Sequence, residues 1–384
     1  MPGFEIIDHL EKKAVNEVFS EGAVFFAHGF QKFRKKYHVR EFEKLARKKM
    51  GAKYSLAVTS GTSATLIALK ALGIKRGDEV ITQAFNFVAT VEAIIECGAK
   101  PVIINVDETY NMCPSELKKA INFKTKAIIP VHMLGVSANM KEIIKIAKNK
   151  KIPILEDNCE SMGAKYRDKY LACVGEVGVV SFDYGKTITT GEGGMIFTNN
   201  KKIFKYCMEY HDHGHELNPK FPRGMDTKSI TGFNYRMTEI QAAIGKVQLK
   251  KLNYIIKENK KRYNSIFNEI KKLDFIFRSI PEDTEQIFDT LIFYCKNTVQ
   301  RKVVIKLLNK SGFGTKNLPD AIRWHCAYYW DHALERKDIK NLKKTKNLLE
   351  NSIAIPIWLK KKVSDYKLIG IEIKKSLREK YLIK

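Results

Sequence analysis

Long apolar runs are missing from this chain of 384 residues. No stretch approaches the roughly 20 apolar residues needed to span a bilayer, so no membrane span is expected. The opening Met1-Pro2-Gly3-Phe4-Glu5 lacks the basic-then-apolar layout of a signal peptide, and a cytoplasmic location is the expectation. Close cysteine pairs are missing too. The seven cysteines (Cys97, Cys113, Cys159, Cys173, Cys207, Cys295 and Cys326) are scattered, with no CxxC spacing. That pattern argues against a zinc site and a disulfide framework, and reads as reduced, mostly buried thiols. Internal repeats and low-complexity segments are absent. Acidic side chains are outnumbered, 42 against 68 basic ones, for a net charge of +26.

Such a charge raises the question of nucleic acid, whose phosphates release counterions to clustered Lys and Arg. The lysines are dispersed instead, often as pairs on helix faces (Lys118-Lys119, Lys260-Lys261, Lys360 to Lys362), and no recognisable reading element accompanies them. A solvated Lys-rich surface is the plainer reading, with steering of an anionic substrate into a cleft as a secondary role.

From about residue 54 to 199, short apolar strands alternate with helical patterns, which predicts parallel βαβ units. Strands are expected over Ser55–Thr59, Glu79–Thr82, Pro101–Asn105, Ala127–Val131, Ile152–Glu156, Val179–Phe182 and Met195–Thr198. Helices are expected over Ala64–Leu72, Val88–Cys97 and Met140–Asn149. A Lys-rich helix over Lys250–Leu273 then leads into a mixed region containing Phe288–Tyr294 and Val303–Leu308. The fold class is therefore α/β: a large domain (1–250) of mostly parallel sheet flanked by helices, and a smaller α+β domain (251–384).

In an open α/β sheet, ligands sit beyond the carboxyl ends of the strands. Four segments fall there. Ser60-Gly61-Thr62-Ser63 joins a strand to a helix and suits a phosphate, although a plain N-cap turn has the same composition. Glu156-Asp157 ends a strand, as many carboxylates do. Phe85-Asn86-Phe87 offers a ring that could stack on a planar ligand or simply fill a core. Ser181-Phe182-Asp183-Tyr184-Gly185-Lys186 runs into Thr- and Gly-rich sequence, where a lysine is placed to form a Schiff base once its amine loses its proton. The cluster His211-Asp212-His213-Gly214-His215-Glu216 fits no common zinc spacing, so no metal is expected.

The run SFDYGKTITTGEGG, preceded by EDNCESMGA and followed by GFNYRMTEIQAAIGKVQL, resembles the DegT/StrS-type sugar aminotransferases of the aspartate aminotransferase fold. The resemblance implies pyridoxal 5′-phosphate as cofactor. It makes Lys186 the Schiff-base lysine, and Asp157 the partner of the pyridine nitrogen. Thr62, Ser63 and Ser181 would bind phosphate, and Phe87 would stack on the ring. Asn234 would reach the neighbouring subunit's phosphate in a homodimer with shared active sites. His132 matches a histidine at the edge of the site, and His213, Arg223 and Arg236 lie in a stretch suited to substrate contact. Where the family commonly has Gln next to the cofactor's ring hydroxyl, this chain has Glu160, and Asn86 stands where Thr is more usual.

Relatives with His at the lysine position dehydrate sugars, so Lys186 implies amino transfer. The implied donor is L-glutamate, and the implied acceptor an anionic keto or aldehyde sugar, nucleotide-linked, for surface polysaccharide or lipopolysaccharide. MPGFE and HDHGHE are also similar to the aminotransferase that forms 8-amino-3,8-dideoxy-manno-octulosonate. A small carbonyl phosphate is a third acceptor class. A basic nucleic-acid-binding regulator built on the same scaffold is the alternative of a different kind.

Overall fold

The computed structural model describes residues 2–381, so Met1 of the MPGFE opening lies outside the described residues. The first strands are β1 (Tyr54–Val58), β2 (Glu79–Gln83), β3 (Lys100–Ile104), β4 (Thr125–Ile129) and β5 (Leu155–Asp157). After a small hairpin, β6 (Lys165–Tyr166) and β7 (Lys169–Tyr170), come β8 (Val177–Ser181) and β9 (Gly194–Thr198). A four-stranded sheet of order β1-β9-β8-β5 and a three-stranded sheet of order β3-β2-β4 meet along parallel bridges, Ile128 to Ile154 and Val131 to Asp157.

The alternating pattern rightly predicts β2, β3, β4, β5 and β8 as parallel neighbours. Strand β9 departs from it, running antiparallel to both β8 and β1. The reason is local. A parallel return needs a crossover of a dozen or more residues, usually helical, whereas residues 182–193 contain no helix and carry the chain straight back. Lys186 sits in that return loop.

Strand burial explains the apolar runs. Residues of β8 and β9 are buried throughout, as expected of strands covered on both faces. The helix Gly61–Ala71 packs Ile67, Ala68 and Leu69 against them at zero exposure, each large side chain contributing roughly 1.5–3 kcal/mol. The helix His38–Met50 lays Phe42 on the long helix Glu239–Ile270 at Gly245, where a Cβ would approach the Phe42 ring to 2.6 Å.

That long helix begins before the expected Lys250 start because Thr238 and Gln241 form a reciprocal capping box. It runs on into a second three-stranded sheet of β10 (Phe275–Phe277), β12 (Thr290–Cys295) and β13 (Ser352–Pro356). The short β11 (Thr284–Glu285) pairs with β6. The helices Thr298–Lys310 and Val363–Tyr381 help enclose an apolar core of Phe293, Val304, Leu308, Tyr366 and Ile369. A later segment folds back on the larger sheet, where Trp330 and Leu334 pack with Val88 and Val91. The seven cysteines are unpaired, five of them buried. Among the described residues no helix is long and apolar enough to cross a membrane.

Candidate active site

The carboxyl ends of β1, β2, β5 and β8 open onto one cavity of about 490 Å³. Its floor at one end is the N-terminus of the helix Gly61–Ala71. Ser60 caps it, accepting from the Ser63 N–H at 3.0 Å, while Ser63 Oγ accepts from the Ser60 N–H at 3.0 Å. The first N–H groups of a helix have no intrahelical acceptor and carry the positive end of its dipole, and Gly61 and Thr62 present that end to the cavity. Close approach is built in: a Cβ on Gly61 would lie 2.8 Å from Ser181 Cβ, and one on Gly194 would lie 2.3 Å from the Ser60 carbonyl oxygen. Thr62 and Ser181 line this end, whereas Ser63, expected to bind phosphate, spends its hydroxyl on Ser60 and on Thr59 at 3.0 Å.

Asp157 stands at the end of β5, 5% exposed. It accepts hydrogen bonds from Thr90 Oγ1 at 2.6 Å and from the Cys159 N–H at 3.1 Å. No Lys or Arg among the described residues forms an ion pair with it, so a buried carboxylate faces the cavity without a protein cation. Its neighbour Glu156 points the other way and accepts from the N–H groups of Ala172, Val174 and Gly175. Phe87 keeps its ring 42% exposed at the cavity wall, beside His325 at 5.5 Å between ring centroids.

Lys186 Nζ enters the cavity and donates to Glu160 Oε1 at 2.5 Å. Burial alone would lower the Lys186 pKa, but the charge of Glu160 and its hydrogen bond to Nζ outweigh it and raise the amine above its ordinary range. Burial likewise pushes the Glu160 carboxyl up, and the charges of Lys186, Lys316 and His325 overcome that to hold it at about 2. The repulsion expected of a carboxylate at the Gln position is thus met by two lysines on Glu160.

The structure moves four expected contacts elsewhere. His132 is fully buried: its Nδ1 accepts from the Ala138 N–H at 3.1 Å and its Nε2 lies 3.2 Å from Glu156 Oε2. It braces β5 from behind and does not line the cavity. Arg223 and Arg236 are also outside it. Both are drawn to Asp212, which is fully buried and accepts from Arg223 at 2.7 and 2.5 Å and from Arg236 at 2.5 Å. Their guanidinium carbons lie 5.1 and 4.8 Å from the Phe26 ring centroid. His213 is exposed in the same loop, and Asn234 is exposed on the strand-like segment opposite Asp212. Burial would raise the Asp212 carboxyl, but the two arginines hold it well below the carboxylate range. Asp212→Ala is therefore expected to destabilise the fold by about 3–5 kcal/mol, because two guanidiniums lose their acceptor, as denaturant titration would read. With a folded-state pKa below the unfolded one, this contribution is present at neutral pH and is lost as pH falls below the carboxylate range.

Three cavity residues, Thr90, Asn317 and His325, have no clear sequence signal, whereas Asn86 was noted in the sequence. Thr90 and Asn86 are placed by the turn after β2, and Asn317 and His325 arrive from the C-terminal segment. The available hint was His325 itself, set between Trp324 and Cys326 in an aromatic run.

These features fit pyridoxal phosphate: a helix N-terminus with hydroxyls for an anion, an exposed ring for stacking, a buried carboxylate lacking a cation, and an amine within the same cavity. Comparison with known proteins agrees. The model of the DegT/DnrJ/EryC1/StrS aminotransferase family matches residues 14–370. GDP-perosamine synthase of Escherichia coli O157:H7 is 36% identical over 250 residues, covering 63% of this chain and 67% of that protein. The solved aminotransferase of Psychrobacter cryohalolentis superposes with a TM-score of 0.85 at 25% identity, covering 97% of this chain and 98% of its own. A GDP-4-keto-6-deoxymannose-3-dehydratase holding a trapped PLP-glutamate geminal diamine superposes with a TM-score of 0.80 at 27% identity, covering 96% and 98%.

Proposed function

The chain belongs to the DegT/DnrJ/EryC1/StrS aminotransferase family and is a pyridoxal-phosphate-dependent aminotransferase, and on that premise we propose that it transfers an amino group from L-glutamate to the carbonyl of a nucleotide-linked keto sugar destined for surface polysaccharide. The observation that carries this reading is the convergence, in one cavity, of the Lys186 amine and the Asp157 carboxylate that has no protein cation. The likeness to GDP-perosamine synthase, whose name gives a nucleotide-linked amino sugar as its product, supports the acceptor class.

When bound, pyridoxal phosphate supplies an electron-withdrawing ring that stabilises negative charge on the carbon beside the transferred nitrogen. Thr62, Ser181 and the Gly61 helix terminus would hold its phosphate, Asp157 its ring nitrogen, and Phe87 one ring face. Thr90 fixes the Asp157 carboxylate from the side, so that its orientation is set before any ligand arrives. Lys186 Nζ, as the neutral amine, would take the proton from the donor's α-carbon and, as the ammonium so formed, return it one position away. Glu160 Oε1, in hydrogen-bond contact with Nζ, is the atom that faces the ammonium form. A lysine at this position, and not a histidine, supports amino transfer over dehydration. Asn234, exposed and outside its own chain's cavity, supports a homodimer in which it completes the neighbouring site. We place the enzyme in the cytoplasm, where its sugar-nucleotide substrates are made.

The test is an acceptor panel with glutamate as donor: keto-sugar nucleotides, the oxidised octulosonate, and a small carbonyl phosphate. Release of 2-oxoglutarate is expected with a keto-sugar nucleotide alone. Turnover only of the octulosonate or of the small phosphate would overturn the nucleotide-sugar assignment and leave the cofactor chemistry standing. A colourless purified protein that takes up no pyridoxal phosphate would return attention to the regulator alternative.

A further inference from the structure

Glu160 has a second oxygen that the proposed chemistry does not use. Oε2 is buried and makes no hydrogen bond. The nearest charge is Lys316 Nζ at 3.8 Å, and Lys316 is itself 6% exposed and anchored on Asp289 Oδ2 at 2.6 Å. Four charged side chains therefore stand in line, Lys186, Glu160, Lys316 and Asp289. The last two come from beyond the long helix. Asp289 directly precedes β12, and Lys316 lies in the loop following the helix Thr298–Lys310, its N–H donating to the Ala354 carbonyl of β13 at 2.9 Å. The line thus joins the return loop after β8 to the sheet of β10, β12 and β13.

A lysine and a carboxylate in hydrogen-bond contact share one proton. In a low-dielectric site, they sit either as an ion pair or as two neutral groups, and a neighbouring charge decides between the two. A cation 3.8 Å from the carboxylate keeps it ionised, takes up part of its field and repels the ammonium on its other oxygen, so it favours release of the lysine's proton. The other charges facing the pair are few. His325 faces Glu160, Asp183 and Cys159 face Lys186, and Asp157 faces Cys159 across the cavity. None of these is tied to a second buried counter-ion as Lys316 is to Asp289.

We propose that Lys316 is a positioning residue which, held by Asp289, competes with Lys186 for the Glu160 carboxylate and eases release of the proton from Lys186 Nζ, so that C-terminal packing sets the pH at which the reactive amine becomes available. The inference rests on the reading of Lys186 as the cofactor lysine, but its test does not need the cofactor. In the full-length apoprotein, trace labelling with acetic anhydride followed by peptide mass spectrometry reports the fraction of each lysine that is neutral. Lys316→Met is expected to move the labelling midpoint of Lys186 up by at least about one pH unit, which is about tenfold less amine at a given pH. Lys316→Arg should restore the wild-type midpoint. Asp289→Asn, which frees Lys316 to act wholly on Glu160, should move it downward.

Opposite shifts from two neighbouring substitutions are not the signature of general loosening. Should Lys316→Met fail to fold, the downward shift in Asp289→Asn carries the test alone. Unchanged midpoints in both variants, or shifts of the same sign, would overturn the proposal. Failure of wild-type protein to take up pyridoxal phosphate, scored separately by its visible colour, would count against the reading of Lys186 and not against the proton's location.

Discussion

Lys186→Ala is expected to lower the rate of amino transfer by about 10⁴-fold or more, since one side chain is both nucleophile and proton carrier and each role is worth orders of magnitude. No second amine can take its place. Lys316 is the other buried lysine nearby, and it is bound to Asp289 at 2.6 Å. Glu160 keeps Lys316 at 3.8 Å after the substitution, so its charge is not stranded and the fold should hold. The same variant should purify without the visible colour of the covalently held cofactor. A small amine such as methylamine, able to enter the space vacated by the side chain, should return part of the activity in proportion to its neutral fraction. Lys186→Arg keeps the charge beside Glu160 and should be as inactive as the alanine variant, with no rescue. An alanine variant retaining a tenth of the wild-type rate would remove Lys186 from the mechanism.

Why Lys186 was legible in the sequence, and Lys316 was not, comes down to distance along the chain. Strand β8, its return loop and β9 are contiguous, and apolar strands broken by Gly and Thr announce themselves locally. The Ser60 cap is likewise a short-range signal, realised as a reciprocal box with Ser63. Direction was harder: the antiparallel course of β9 follows from a missing crossover helix, and alternation of apolar segments says nothing about that.

Charged side chains were hardest. Arg223 and Arg236 carry the residue type suited to an anionic substrate, yet both are paired with Asp212 inside the fold. His132 looks the same in sequence whether its ring meets a ligand or, as here, Glu156 and the Ala138 amide. Lys316 reaches Glu160, and His325 the cavity, only because the C-terminal segment folds back across the larger sheet. A one-dimensional reading supplies residue types. The partner that consumes a charge, or leaves it free, is a property of tertiary packing.

Asp157→Asn is expected to reduce amino transfer on the order of 10³-fold while leaving the protein folded. The substitution keeps the shape of the side chain, and the oxygen that accepts from Thr90 Oγ1 or from the Cys159 N–H can be retained. What it removes is the negative charge, and that charge is unspent within the protein, having no Lys or Arg partner among the described residues. A carboxylate left bare in a buried site costs desolvation, and such a cost is tolerated where a ligand supplies the matching positive group. A protonated ring nitrogen is such a group, and without the anion opposite it the ring loses much of its electron-withdrawing power. Because the loss falls on the chemical step, kcat should drop much more than the affinity for glutamate changes. Thr90→Val separates charge from orientation: it deletes one hydrogen bond to the same carboxylate and should cost about tenfold. If Asp157→Asn kept its rate within tenfold of wild type, or if Thr90→Val were the more damaging of the two, the carboxylate would be a structural brace and the ring nitrogen would need another partner.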